Sequence, residues 1–354
     1  MKYLKLYLHI LFFVSLVTAC GGGCGCAYLI GHPSDVSEIG FGRDAGTTTQ
    51  VIATTPPVTS VPLPTYAADS EELAAFNLLN HERASCGYGL LSQNSQMDKA
   101  AQNHADYMIL NDIQLPNEQT IYAGFTGMSL SSRLTQVGYK ETSIYTYAAG
   151  TEVLTSLPNT HQLTGAGVRS VRYLLSSPFQ LNGILRGHKN VGISVRPAWV
   201  IKSTLNQIMI VFDLSTPDGS SAQLPGENDV LTYPCQDTTG IVYQLDVNHT
   251  PSPVPSSRNL GVRPSGHPIL VTVKHGNSLA ILSASLIKVS TGASIPLMAP
   301  VTHLESGFYL YANEGFILPD IPLEPSTQYQ ATINGTNNGL PFTRTFTYTT
   351  GAGL

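Results

Sequence analysis

Charged side chains are scarce in this chain. Only 12% of its 354 residues are Asp, Glu, Lys or Arg, about half the usual fraction for a globular protein. The formal balance is −5, so there is no basic footprint and no nucleic-acid partner is expected. The apolar run near the start, Leu6 to Val17, falls short of the ~20 residues a membrane-spanning helix needs. Several catalytic signatures are also missing. Gly127-Met128-Ser129 continues as Leu130-Ser131 rather than closing a Gly-x-Ser-x-Gly elbow, and His81-Glu82 is followed by Arg83-Ala84-Ser85 rather than by the second histidine of a zinc protease. No glycine-rich loop ends in Gly-Lys-Ser/Thr, which excludes a phosphate-binding loop.

Ser, Thr, Asn, Gln and Gly take the place of charge, a composition common on exported proteins. Lys2 and Lys5 precede the short apolar run, and Val17-Thr18-Ala19-Cys20 follows it. A cationic start, an apolar core and small residues before the cut make residues 1–19 a signal peptide. The cysteine at the cut resembles a bacterial lipobox, which implies that Cys20 is diacylated and anchors the chain to a membrane. Gly21 at the next position resembles outer-membrane lipoproteins of diderm bacteria. The remaining cysteines are Cys24, Cys26, Cys86 and Cys235. In an oxidising envelope Cys86 and Cys235, each in turn sequence, are the natural pair to bridge. Cys24 and Cys26 lack the further ligands a metal site needs, so neither a metal nor a cofactor is expected.

Residues 20–66 read as a tether. The first part is Gly-rich, and Thr47 to Thr65 is rich in Thr, Pro and Val, a semi-rigid stalk. Helical signals follow at once: Asp69 or Ser70 as cap, Glu71 and Glu72 in the first turn, and Leu73, Phe76 and Leu79 on one face. A second helix opens at Ser95 with Asp98 as the other half of a capping box, and Met97, Ala101, His104 and Met108 share a face. Val168 to Leu175 reads as a shorter helix ended by Ser177-Pro178, and Val191–Val195 and Gln207–Asp213 as strands. Residues 67–240 form this first domain and residues 241–256, with Pro251, Pro253 and Pro255, a linker. In residues 257–354 helical periodicity gives way to short strands at Ile269–Lys274, Ser285–Val289, Phe308–Tyr311, Tyr329–Ile333 and Phe342–Tyr348. The fold class is therefore α+β, an α/β/α sandwich followed by an all-β sandwich.

The helix ending Asn80-His81-Glu82-Arg83 and the stretch Ala101-Gln102-Asn103-His104-Ala105-Asp106-Tyr107-Met108 resemble the Asn-x-x-Arg and Ala-x-x-His-Ala-x-x-Met helices of bacterial CAP (SCP-like) domains. The closing Pro325-Ser326-Thr327-Gln328-Tyr329 turn and Phe346-Thr347-Tyr348-Thr349-Thr350-Gly351 strand resemble bacterial Ig-like domains. The CAP resemblance implies a cleft with two histidines and two glutamates, sometimes holding a divalent metal. Here Ala149-Gly150-Thr151-Glu152-Val153 approximates the Gly-Glu-Asn motif, leaving Glu152, while Ser177-Pro178-Phe179-Gln180 puts Gln180 where the family's second histidine stands. No histidine lies between His104 and His161, and no Asp or Glu between Val153 and Phe212. Glutamine offers only a weakly ligating carbonyl oxygen and no useful proton chemistry. Glu152 and Gln180 are thus expected to be the remnant of a catalytically silent cleft, with Glu152 a buried acceptor ordering its loop. His104 is expected to be a packed helix residue bonded to backbone, and His161 and His188 to be loop residues.

The first functional reading is an outer-membrane lipoprotein that binds an apolar ligand, a polysaccharide or an envelope protein without catalysis. A hydrolase of envelope peptides or cell-wall material through a rearranged cleft, and a purely architectural surface protein, are the alternatives.

Overall fold

A computed structural model describes residues 28–30 (backbone only), 55–142, 150–158, 163–198, 207–245, 252–255, 257–306 and 309–353. The expected signal peptide, Cys20, Cys24, Cys26, the expected tether to residue 54 other than 28–30, and His161 lie outside them. No described helix is long and apolar enough to cross a membrane.

The first region has three layers. Its sheet runs in the order β1 (Tyr28–Ile30), β3 (Thr151–Pro158), β5 (Gln207–Ser215), β4 (Asn190–Pro197) and β2 (Ser92–Gln93). Side chains alternate across it. Val153, Ile210 and Phe212 join the core beneath α1 (Glu71–Ser85), α4 (Ala166–Ser176) and α5 (Pro178–Leu185), while Leu154, Met209 and Val211 pack against α2 (Ser95–Leu110). Burying one such side chain stabilises the fold by roughly 1.5–3 kcal/mol. On the α2 side, helix and sheet approach closely because residue 192 is glycine. A Cβ there would lie 2.1 Å from the Met97 carbonyl carbon.

Ser70 caps α1 by accepting from the Leu73 amide. The cap of α2 is Asn94, whose side chain accepts from Gln96 and Met97, so the expected Ser95/Asp98 capping box is corrected. Asp98 instead accepts from Tyr66 Oη, Gln93 and the Ile193 amide, which ties α2 to β4. Ser177-Pro178 ends α4 as expected, but Pro178 also opens α5, where proline at the first helical position sacrifices no hydrogen bond. The Asn-x-x-Arg pair braces the following turn. Asn80 exchanges two hydrogen bonds with Leu91, and Arg83 donates to the carbonyls of Gly89, Ile184 and Arg186.

The described end of the tether is not a free stalk. Thr55 pairs beside Gln223, Val58 bonds Leu90, and Thr65 bonds Gln93, so residues 55–66 lie along the domain.

The β-rich region holds two four-stranded sheets. One is ordered β10 (Val301–Thr302), β11 (Glu314–Ile317), β8 (Ile269–Val273), β6 (Val230–Tyr233), and the other β7 (Thr238–Ile241), β13 (Leu340–Thr350), β12 (Gln328–Asn337), β9 (Leu279–Lys288). Two expectations need correction. The region begins near Val230 rather than at 257, because β6 pairs with β8 and β7 with β13. The strand expected at Phe308–Tyr311 falls instead on Glu314–Ile317, hidden in the sequence by Glu314 and Gly315; the described Tyr309–Tyr311 is not strand, and Phe308 lies outside the described residues.

The boundary shift changes what the disulfide does. Cys86, at the C-cap of α1, is bonded to Cys235 in the turn between β6 and β7, so the bridge joins the α/β/α region to the β-rich one. The same seam holds Tyr233 Oη donating to Glu82 at 3.1 Å, Asn182 donating to Glu314 at 2.9 Å, and Phe179 against Phe316 with ring centroids 5.9 Å apart. One hydrophobic core runs continuously from Ala75 to Tyr348 across it.

Candidate functional site

Five ionisable residues converge beneath α2 and are sealed there. His104, Glu118, Arg133, Glu152 and Asp213 are each 0% exposed. Their positions follow from the layers. His104 is on the sheet-facing side of α2, Arg133 comes from α3 (Leu130–Gln136), and Glu118 from the segment between those helices. Glu152 on β3 and Asp213 on β5 are paired directly across the ladder, so their side chains leave the same face of the sheet, toward α2.

Hydrogen bonds join His104 to Glu118 and Arg133 to Glu152, and the two pairs meet at a longer contact. His104 Nδ1 is 3.0 Å from Glu118 Oε1 and its Nε2 is 3.5 Å from Glu152 Oε1. Both ring nitrogens therefore face carboxylates. Arg133 Nη2 is bonded to Glu152 Oε2, and its Nη1 lies 3.3 Å from the Gly127 carbonyl and 3.4 Å from that of Pro116. Glu118 also accepts from the Thr126 amide at 2.5 Å and the Gly127 amide at 3.1 Å, which fastens the 116–129 segment over the cluster.

The two flanking carboxyls are shifted in opposite directions. Burial alone would raise Glu118, but hydrogen bonds from His104 and Thr126, with the charges of His104 and Arg133, outweigh it and hold the carboxyl below its usual range. Asp213 is pushed well above the usual range, first by burial and then by the Glu152 charge, with Arg133 opposing. Among the described residues neither Asp213 oxygen receives a donor. A proton on Asp213 gives the pair one hydrogen bond, to Glu152.

The expected pairing of Glu152 with Gln180 is corrected. Gln180 is buried on α5, which packs on the opposite face of the sheet, and its Oε1 has no hydrogen-bond partner. The two side chains share no cleft. The loop-ordering carboxylate is Glu118, not Glu152, and His104 bonds carboxylates rather than backbone. Buried His188 follows α5 at the start of the sheet's return to β4. Sequence reasoning missed Glu118 and Arg133, whose roles depend on a turn that folds back over α2. It missed Asp213 too, although Asp213 stands on the apolar strand read correctly from the pattern.

A divalent metal of the kind the CAP resemblance implies does not fit these residues. Zinc needs three or four converging anionic or neutral ligands, whereas Glu152 Oε2 is held by a guanidinium and its Oε1 faces an imidazole. Arg133 stands where a cation would be needed. Among the described residues no group of three His, Cys, Asp or Glu side chains could hold a metal ion.

The fold and cluster define a three-layer α/β/α domain with a buried ionic core and a β-rich region attached. Residues 76–180 match the CAP family, described as the cysteine-rich secretory protein family, and the chain therefore carries a CAP domain. Among solved structures it is similar to an extracellular protein containing an SCP domain from Bacillus anthracis. That match has 16% identity, a TM-score of 0.32, and covers 41% of this chain and 40% of that one. It is also similar to an outer surface protein from Borrelia burgdorferi, with 15% identity, a TM-score of 0.30, and coverage of 42% of this chain and 92% of that one. The chain thus spans less than half of the first of these proteins, and neither likeness carries the assignment. No curated protein matches the chain.

Proposed function

We propose that this chain is a lipid-anchored cell-envelope protein whose CAP domain acts by binding, without catalysis, and whose β-rich region is an Ig-like spacer or adhesion module. The observation that carries this reading is the 0% exposure of all five cluster residues. A general acid, base or metal-activating carboxylate must reach a substrate atom or a water in contact with it. These side chains instead pair in the interior, His104 with Glu118 and Arg133 with Glu152. The lipobox-like Val17-Thr18-Ala19-Cys20 supports anchoring through Cys20, and Gly21 supports the outer membrane.

Two experiments test the reading. Purified wild type and Glu152→Ala are compared on envelope peptides and cell-wall material. Turnover by the wild type that disappears in a folded Glu152→Ala chain would show a working cleft and end the non-catalytic reading. Metabolic labelling with a palmitate analogue tests the anchor. Label and membrane fraction are expected to vanish together in Cys20→Ala, and their persistence would remove the anchor from the account.

A further inference from the structure

A cavity of about 520 Å³ opens at the seam between the two regions, far in character from the buried ionic core. Phe179 of α5 forms one wall, and Val254, Met298, Pro300, Val301 and Leu318 supply most of the rest. Phe179 is fixed by rings on the β-rich side, with centroids 5.4 Å from Tyr309 and 5.9 Å from Phe316. The volume lies within the range of small-molecule sites, roughly 300–1,000 Å³.

Several of the polar groups around the cavity are engaged within the protein. Arg258 is paired with Asp320 and donates to the carbonyls of Arg263, Pro264 and Asp320. The other Asp320 oxygen takes Arg263 at 3.0 Å. Glu305 accepts from the Thr302 amide and hydroxyl, and Ser306 Oγ donates to His303 and accepts from Leu310. Two arginines and two acids leave the lining with no net charge. Val262, 82% exposed, and Leu304, 73% exposed, are next in sequence to the lining residues Arg263 and Glu305.

We infer that this cavity binds a small, uncharged, mainly apolar molecule. Phe179 and Met298 suit a ring, through aromatic and sulfur contacts. The inference rests on the binding reading above and gives it a place and a ligand class. The site is assembled only where the CAP domain meets the β-rich region, since Phe179 belongs to the one and the remaining walls to the other.

The test is a fluorescence titration of the full chain with N-phenyl-1-naphthylamine, a neutral aromatic probe that brightens in apolar surroundings. Saturable one-site binding is expected. Met298→Trp, which fills the cavity from a half-exposed position, is expected to weaken it by about tenfold or more, corresponding to ~1.4 kcal/mol. Ala299→Trp, at an exposed lining position, serves if the first variant misfolds. Absence of saturable binding in the wild type overturns the inference, as does unchanged affinity in a folded tryptophan variant. Either failure would leave the non-catalytic reading to stand or fall on the Glu152→Ala comparison, which does not touch this cavity.

Discussion

Glu152 and Asp213 are direct cross-strand partners on β3 and β5, and both are fully buried on the face covered by α2. Like charges placed directly opposite destabilise a sheet, and burial raises the cost further because neither carboxylate can be solvated. The pair is resolved by giving its members different roles. Glu152 is bonded to Arg133 and lies close to His104. Asp213 is displaced toward the neutral acid by burial and by Glu152. The five side chains thus form a compact ionic core with an internal cation.

Asp213→Asn removes the need to keep a buried acid neutral while retaining a side-chain donor for Glu152. Because the folded-state pKa of Asp213 is raised, its protonated form favours folding at low pH, and this contribution is lost as pH rises from the ordinary carboxylate range toward the folded pKa. The wild type should therefore lose stability with rising pH in that window. The substitution should flatten the slope and stabilise the chain by about 1–2 kcal/mol at pH 7. Urea unfolding across pH 4 to 9 measures both effects; parallel curves for the two proteins would refute the assignment.

Glu118 has the opposite sign. Its lowered pKa supplies stability above the ordinary carboxylate range that disappears as pH falls through the folded value. Glu118→Ala leaves His104, Thr126 and Gly127 without their acceptor and should cost about 3–5 kcal/mol. Amide hydrogen exchange should accelerate first at Thr126 and Gly127. Unchanged protection there would show that the segment is held by something else.

Some of this was legible in the sequence and some was not. Sequence patterns located α1, α2, β4, β5 and four of the β-rich strands, β8, β9, β12 and β13, because burial of one face dictates those patterns. Arg133 and Glu118 left no such trace, since their partners come together only through tertiary folding. The edge strands β6 and β7 looked like the tail of the first domain because sequence proximity favours that reading, yet their hydrogen-bond partners lie in β8 and β13. Gln180 was placed in a cleft with Glu152 by motif alone, and the alternation of β3 separates them.

The Cys86–Cys235 bridge closes a sequence separation of 149 residues, for which chain entropy gives about 5 kcal/mol as an upper figure. Cys86→Ser with Cys235→Ser should lower stability by about 2–5 kcal/mol. Because the bridge joins α1 to the β6–β7 turn, limited proteolysis should then begin at the seam between the regions. Cleavage confined to other segments would argue that packing alone secures the seam.

The most direct measurement is carboxyl footprinting of the native protein with a carbodiimide and an amine, read residue by residue by peptide mass spectrometry. Glu118, Glu152 and Asp213, each 0% exposed, are predicted to stay unmodified while the exposed Asp218 and Glu227 react. Modification of Glu152 in the folded chain at the rate of those surface carboxylates would show an open cleft and contradict the structural role assigned to the cluster.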